Sequence, residues 1–314
     1  MKTFLILFLS FFSSYFLKAE DKSPKKPDRS RVIPNMNEGI IREPHIIFTY
    51  VDEKKRRRLT LDLYRPTKTN KSSPAIVMFF GGGWQNGRPG IFASLAQGMA
   101  QRGYVCVVPE YRLSGEKPFP AAVYDCKAAI RWTRKNAKRF RIDPDRIVSM
   151  GGSAGGHLAG FMAATNGIKR FEGLGDNRAT SSDVQSAIVM CGPMTMLLPH
   201  IIERVEKAAS KPKGDAIIDF MGGALPAQKT GIYIEASPIT HVSDRTPPML
   251  FIDGEFDRPR TRYTEFWSKM DKYNIPHEFV LMPKAPHPFW NMREWFLPTL
   301  DAIDNFLKKH LFKK

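Results

Sequence analysis

The chain has 314 residues, 42% of them hydrophobic and 25% charged, with 24 Pro and 23 Gly. These fractions exclude a collagen, a coiled coil and a mostly disordered polymer, and the length suits one large domain or two small ones. Lys and Arg exceed Asp and Glu by 17, and three Cys are too few for a disulfide-stapled module.

In chain order, Lys2 precedes an apolar run from Phe4 to Leu17 that closes on the small residue Ala19. A bilayer-spanning helix needs about 20 apolar residues, and this run is shorter. Its layout is that of a secretory signal peptide over residues 1–19, the alternative being an uncleaved anchor. A mature chain starting near Glu20 is therefore expected to be secreted or periplasmic. No later segment is long and apolar enough to span, so no stable membrane insertion of the mature chain is expected. Residues 20–44 carry Lys25, Lys26, Arg29 and Arg31 with few apolar positions, and are expected to form a solvated basic leader. The folded domain is then 45–314.

Ile46–Val51 and the alternating Leu59–Leu63 are two strands joined by the charged turn Asp52–Arg58, an antiparallel hairpin. Short unalternating apolar runs follow at Ala75–Phe80, Tyr104–Val108, Arg146–Met150, Ala187–Met190, Met249–Ile252 and Phe279–Met282, the pattern of strands covered on both faces. Between them lie helical stretches at Ile91–Arg102, Ala121–Phe140, Gly155–Ala164, Thr261–Lys272 and Met292–Leu311. In Ala121–Phe140 the apolar positions Val123, Cys126, Ile130, Ala137 and Phe140 recur at helical spacing, and Lys127, Arg131, Arg134, Lys135 and Lys138 are expected on a solvated face. A hairpin leading into alternating strands and helices predicts an α/β domain with a mostly parallel central sheet and helices on both faces. The Pro- and Gly-containing stretch 192–245 is expected to be a small cap-like insertion over one end of that sheet.

Chemistry concentrates at strand ends. Arg146–Met150 runs into Gly151-Gly152-Ser153-Ala154-Gly155, a G-x-S-x-G pattern between strand and helix. Small residues on both sides allow a sharp turn that lifts Ser153 to a helix N-terminus, where a developing anion is favoured. Ala75–Phe80 empties into Gly81-Gly82-Gly83-Trp84, whose backbone N–H groups can approach a ligand closely. Together with the N–H of Ala154 they suit an oxyanion, each donor contributing about 3–4 kcal/mol to a transition state. A phosphate cradle is disfavoured because the Walker lysine is missing. Beyond the Met249 strand, Asp257 is the candidate acid, with Asp253 and Glu255 as weaker alternatives. Beyond the Phe279 strand, His287 in a Pro-flanked loop is the candidate base. His157 is expected to pack inside a helix, and His200, His241 and His277 lack a strand-end setting. Trp84, Phe92, Phe289 and Trp290 are candidate pocket walls. Cys106, Cys126 and Cys191 are expected as buried free thiols, a Cys106–Cys126 bridge staying open; no His/Cys spacing suits a metal.

These segments resemble the α/β-hydrolase superfamily, and within it are similar to the bifunctional feruloyl and acetyl-xylan esterases near the hormone-sensitive-lipase-like enzymes. The resemblance runs from about Ile46 to Leu311 and rests on Leu61–Pro66, Gly81–Trp84, Pro109–Leu113, Gly151–His157, Phe171–Gly173, Ala236–Ile239, Asp257 and Pro286-His287. It implies a Ser153–His287–Asp257 triad, oxyanion donors at Gly82, Gly83 and Ala154, an acyl-enzyme, no cofactor and a structural role for Asp125. Two positions depart from the family pattern, where His usually stands: Phe80 before the glycines and Asp253 before Gly254. The resemblance thus implies a secreted serine carboxylesterase acting on small esters or acylated glycans. Two readings compete with it: a serine peptidase of the same fold, which usually carries a large preceding domain, and a catalytically silent binding protein. The basic run Lys54–Arg58 is expected as a solvated turn; attraction to an anionic glycan is the functional alternative, and nucleic-acid binding is disfavoured because no binding motif accompanies the charge.

Overall fold

Eight strands form the centre of the computed structural model, which describes residues 26–34, 39–52, 54, 56–68, 71–210, 214–257 and 262–312. The signal-peptide reading lies outside the described residues. In chain order the elements are β1 (Ile40–Tyr50), β2 (Arg58–Pro66), β3 (Ser73–Phe79), α1 (Ala93–Gln101), β4 (Val105–Pro109), α2 (Ala121–Lys135), α3 (Ala137–Phe140), β5 (Ile142–Gly152) and α4 (Ala154–Ala164). Then come β6 (Ser186–Met190), α5 (Pro199–Ala208), α6 (Ala216–Phe220), α7 (Thr230–Glu235), α8 (Pro238–His241), β7 (Met249–Gly254), α9 (Thr264–Lys272), β8 (His277–Met282) and α10 (Arg293–Leu311).

The strands lie in the order β1-β2-β4-β3-β5-β6-β7-β8. β1 pairs antiparallel with β2, and β2 with β4; every other neighbour is parallel. This is the α/β-hydrolase architecture. Side chains alternate across a strand, so Ala75, Val77 and Phe79 of β3 join one apolar layer and Ile76 and Met78 join the other. The first layer is closed by α2 and α4 and the second by α1 and α10, which explains why these strands read as unbroken apolar runs. β8 is the exception: it is an edge strand, half-buried along most of its length.

Three expectations need correction. The helix over 121–140 is two helices that divide at Asn136, whose side-chain amide donates to the Trp132 carbonyl at 2.9 Å. The leader is not solvated throughout, and the fold starts before residue 45. β1 begins at Ile40, and 28–32 is stitched to the segment after the candidate base by Val32 N–H to Asn291 O (2.9 Å) and Arg293 N–H to Ser30 O (2.9 Å). Finally, the basic face of α2 is only partly solvated. Lys127 and Arg131 are fully buried, because residues 165–176 fold across them. Lys127 Nζ donates to the Thr165 carbonyl at 3.0 Å, and Arg131 Nη1 donates to Glu172 Oε2 at 2.6 Å and to its carbonyl at 2.8 Å. Helical periodicity locates a charged face but not what a distant loop lays over it.

Burial pushes the Lys127 ammonium down to about 8, with Glu172 opposing the shift. The folded state therefore sheds this proton well before the unfolded chain does, near 10.5. Between those values the unfolded state holds more protons, so the Lys127 contribution to stability rises with pH. Across pH 8 to 10.5, wild type should gain about 2–3 kcal/mol relative to Lys127→Met, measured by urea unfolding. Parallel pH profiles of the two proteins would refute the burial argument.

Candidate active site

The G-x-S-x-G segment turns abruptly because side chains are missing where backbones meet. A Cβ on Gly155 would fall 1.9 Å from the Phe79 carbonyl oxygen, and one on Gly151 would fall 2.1 Å from that of Gly155. Ser153 sits between β5 and α4 with φ 58° and ψ −122°, a conformation that side-chain-bearing residues avoid. The surrounding hydrogen bonds hold it there: its N–H donates to Met190 O at 2.8 Å, and its carbonyl accepts from His157 N–H at 3.0 Å. The side chain is thereby lifted above the carboxyl end of a central strand, where ligands bind in open α/β sheets.

The other predicted groups converge on it from neighbouring strand ends. His287 follows β8, and its Nε2 stands 3.1 Å from Ser153 Oγ. Asp257 follows β7, with Oδ2 at 2.9 Å from His287 Nδ1. Since a carboxylate can only accept, Nδ1 carries the imidazole proton and Nε2 is left to accept from the serine hydroxyl. Burial alone would raise the Asp257 carboxyl, but His287 and Arg262 outweigh it and hold the group below the usual carboxylate range. Arg262 Nη1 lies 3.0 Å from Asp257 Oδ2, and Nη2 donates to the Asp257 carbonyl at 2.7 Å.

Asp253 and Glu255 do not reach the imidazole. Asp253 is fully buried and accepts from Cys191 N–H and Tyr263 Oη–H, both at 2.8 Å. Burial raises its carboxyl to about 6, opposed by Arg262 3.4 Å away. It therefore braces the loop after β7 rather than orienting the base. Glu255 accepts from Lys284 N–H at 2.7 Å, tying the acid loop to the base loop.

The glycine loop lies beside the elbow because β3 neighbours β5. Gly82 and Gly83 both have positive φ, and the Gly82 carbonyl accepts from Gln85 and Asn86 N–H groups, pointing away from the site. Among the described residues no acceptor takes the N–H of Gly82 or Gly83. Ala154 opens α4, where a helix leaves its N–H groups unpaired. Phe80 is wholly apolar in role, stacked on Tyr111 at 4.3 Å between ring centroids, and its carbonyl accepts from Tyr111 Oη–H at 2.8 Å. Asp125 grips Arg112 with both oxygens, and Ser114 N–H donates to Trp84 O at 2.8 Å, so this buried pair braces the loop from behind.

Two cavities open onto Ser153. One, of about 430 Å³, is bounded by Gly81–Gly83, Ile91, Trp290, Met292 and Arg31. The other, of about 450 Å³, lies under the helices between β6 and β7 and is bounded by Trp84, Leu198, His200, Ile201, Arg204 and Asp215. Trp84 and Trp290 thus reach cavities. Phe289 and Phe92 do not: both are fully buried in the layer under α10, against Trp290. His157 is buried, as expected; Trp84 Nε1–H stands 3.3 Å from its Nδ1 and Ala236 O is 2.7 Å from its Nε2. Burial depresses it to about 4, so it is neutral at pH 7. His200 was set aside in the sequence yet borders the second cavity.

Arg262, Arg31 and Cys191 carry no motif: Arg31 reads only as part of a basic leader and Cys191 only as a buried thiol, and nothing marks them as site residues. An arginine five residues after a candidate acid was the only available hint for Arg262. The three cysteines are free and buried. Cys191, Asp257 and His287 nonetheless place one donor atom each within 4.8 Å of one another, a grouping that sequence spacing could not reveal.

A family model described as BD-FAE matches residues 61–262. Over 206 residues the chain is 29% identical to the probable carboxylic ester hydrolase LipM of Mycobacterium tuberculosis, covering 63% of this chain and 44% of that protein. The chain spans about half the length of the curated relatives it matches. A truncated form of a carbohydrate esterase from gut microbiota superposes with a TM-score of 0.71 at 25% identity, covering 85% of this chain and 96% of that one. A bifunctional GH43-CE protein of Bacteroides eggerthii gives 0.72 at 26% identity, covering 86% and 38%.

Proposed function

The chain belongs to the BD-FAE family, and from that membership we propose that it is a serine carboxylesterase that removes acyl groups, of acetyl or feruloyl type, from polysaccharide fragments. One observation carries the chemistry: the unbroken relay from Ser153 Oγ to His287 to Asp257, at 3.1 and 2.9 Å. His287 Nε2 takes the Ser153 proton as Oγ attacks the ester carbonyl. The N–H groups of Gly82, Gly83 and Ala154 receive the oxyanion. Asp257, kept ionised by Arg262, stabilises the imidazolium, which then protonates the departing alcohol. Water, activated by the same imidazole, hydrolyses the acyl-enzyme and frees the acid. The relay is built wholly from side chains and backbone, so the reading calls for no cofactor.

The glycan part of the reading is supported by the names of the two structural neighbours and by the aromatic walls Trp84 and Trp290. The reading includes export, for which the layout of residues 1–19 is the support. A fluorophosphonate should label Ser153, located by peptide mass spectrometry, and acetylated xylan should release acetate. Labelling with hydrolysis of 4-nitrophenyl acetate but no acetate from xylan would keep the serine esterase and discard the glycan. Folded protein that neither labels nor hydrolyses either ester would favour the silent binding protein.

A further inference from the structure

We propose that Arg31 equips the 430 Å³ cavity beside Ser153 to receive a carboxylate, so that the preferred ester carries an anionic group a few bonds from the scissile carbonyl. This inference rests on the esterase reading and specifies the substrate of the same site.

Arg31 belongs to a strap rather than a free tail. Val32 N–H donates to Asn291 O, Ser30 O accepts from Arg293 N–H and Asp28 O accepts from Glu294 N–H at 3.1 Å, so backbone bonds hold the chain on both sides of Arg31. On its other flank the Val32 carbonyl accepts from Ser94 Oγ–H at 2.8 Å. The strap thereby becomes one wall of the cavity whose floor holds Ser153 and His287. Ile91, Trp290 and Met292 make the remaining walls largely apolar, and no carboxylate lines the space.

Among the described residues Arg31 has no ion-pair partner, whereas Arg293 across the strap is matched with Asp28. The strap's own acid, Asp28, is engaged by Ser30 and by Arg293 at 3.4 Å. In the second cavity the arginines are already matched, Arg204 with Asp215 at 2.9 Å and Arg262 with Asp257. An anionic substituent therefore finds uncompensated positive charge on the Arg31 side of Ser153. A guanidinium offers a planar fork of donors suited to a carboxylate. The net charge of +17 would draw anions towards the chain in the same sense. The cavity is several times larger than an acetyl group, leaving room for the spacer between carbonyl and carboxylate.

Two substrate sources share this chemistry: a half-ester of a dicarboxylic acid, with the carboxylate on the acyl side, and an acylated uronic acid, with it on the alcohol side. The full chain would be assayed on two matched pairs. The first is mono-4-nitrophenyl adipate against 4-nitrophenyl hexanoate, and the second is an acetylated methyl glucuronoside against the matching glucoside. Wild type should favour the anionic member of one pair by about tenfold in kcat/KM, and the responding pair identifies the source. Arg31→Gln should erase that ratio, Arg31→Lys should retain part of it, and 1 M NaCl should shrink it in wild type. No anionic preference in either pair overturns the proposal. So does an Arg31→Gln variant that loses activity equally on both members, which would mark the residue as a wall alone. Inertness on the neutral esters as well would instead remove the esterase reading, and this inference with it.

Discussion

Ser153→Ala is expected to lower kcat/KM for 4-nitrophenyl acetate by about 10⁴-fold or more, with an unchanged circular dichroism spectrum. The size follows from the unit formed by nucleophile and base: removing either leaves only the binding and oxyanion contributions, and the loss does not divide between them. His287→Ala should therefore cost about as much, and the double variant little more. Folding should survive the serine change, because what holds the elbow is backbone. Met190 and His157 bond to the main chain of Ser153, and the glycine contacts at 151 and 155 are untouched. Alanine keeps the φ near 58° that Ser153 already holds, so the substitution adds no backbone strain and Tm should change little. A variant retaining a tenth of wild-type activity would remove Ser153 as nucleophile.

Asp257→Asn should lower kcat by about 10³–10⁴-fold, the loss expected when the base is left in the wrong tautomer with an unstabilised imidazolium. Asp253→Asn should cost at least a hundredfold less, since its Oδ1 accepts from both Cys191 N–H and Tyr263 Oη–H and neither oxygen meets the imidazole. The two carboxyls also oppose each other in pH-dependent stability. The Asp257 carboxyl is lowered on folding, so its contribution is present above 3.8, the unfolded value, and is lost as pH falls through the folded one. The Asp253 carboxyl is raised to about 6, so its contribution is full below 3.8 and disappears as pH rises to about 6. Between pH 4 and pH 6.5, Asp253→Asn should therefore gain about 2 kcal/mol relative to wild type, and Asp257→Asn should not. Urea unfolding at both pH values separates them. Equal kinetic losses in the two variants would mean that the acid had been misassigned.

The residues of the relay were legible in the chain, because each belongs to a local pattern. An elbow needs small residues on both sides of its serine, and the candidate nucleophile, acid and base stand in chain order just beyond the carboxyl ends of the parallel strands β5, β7 and β8. The strands were legible for a similar reason: burial on both faces leaves an unbroken apolar run, as in Ala75–Phe79. What depends on distant segments was not legible. Lys127 and Arg131 satisfy helical periodicity equally well as a solvated face, and only the fold of 165–176 over α2 buries them. Phe289 and Trp290 are neighbours with the same chemistry, yet one packs wholly into the core and the other borders the cavity. Asp253 and Asp257 are four residues apart, yet Asp253 is still inside β7 with its side chain turned into the core, and only Asp257, past the strand end, meets His287. Arg31 reaches the cavity only because residues 28–32 bond to residues 291–294, more than 250 positions later in the chain. Sequence alone determined the chemistry available and the strand ends that carry it, since those follow from short-range sterics and burial. The tertiary structure decided which charges are buried, which carboxylate meets His287 and which arginine borders the cavity beside Ser153, because Coulomb and hydrogen-bond energies act over a few ångströms of space, whatever the separation along the chain.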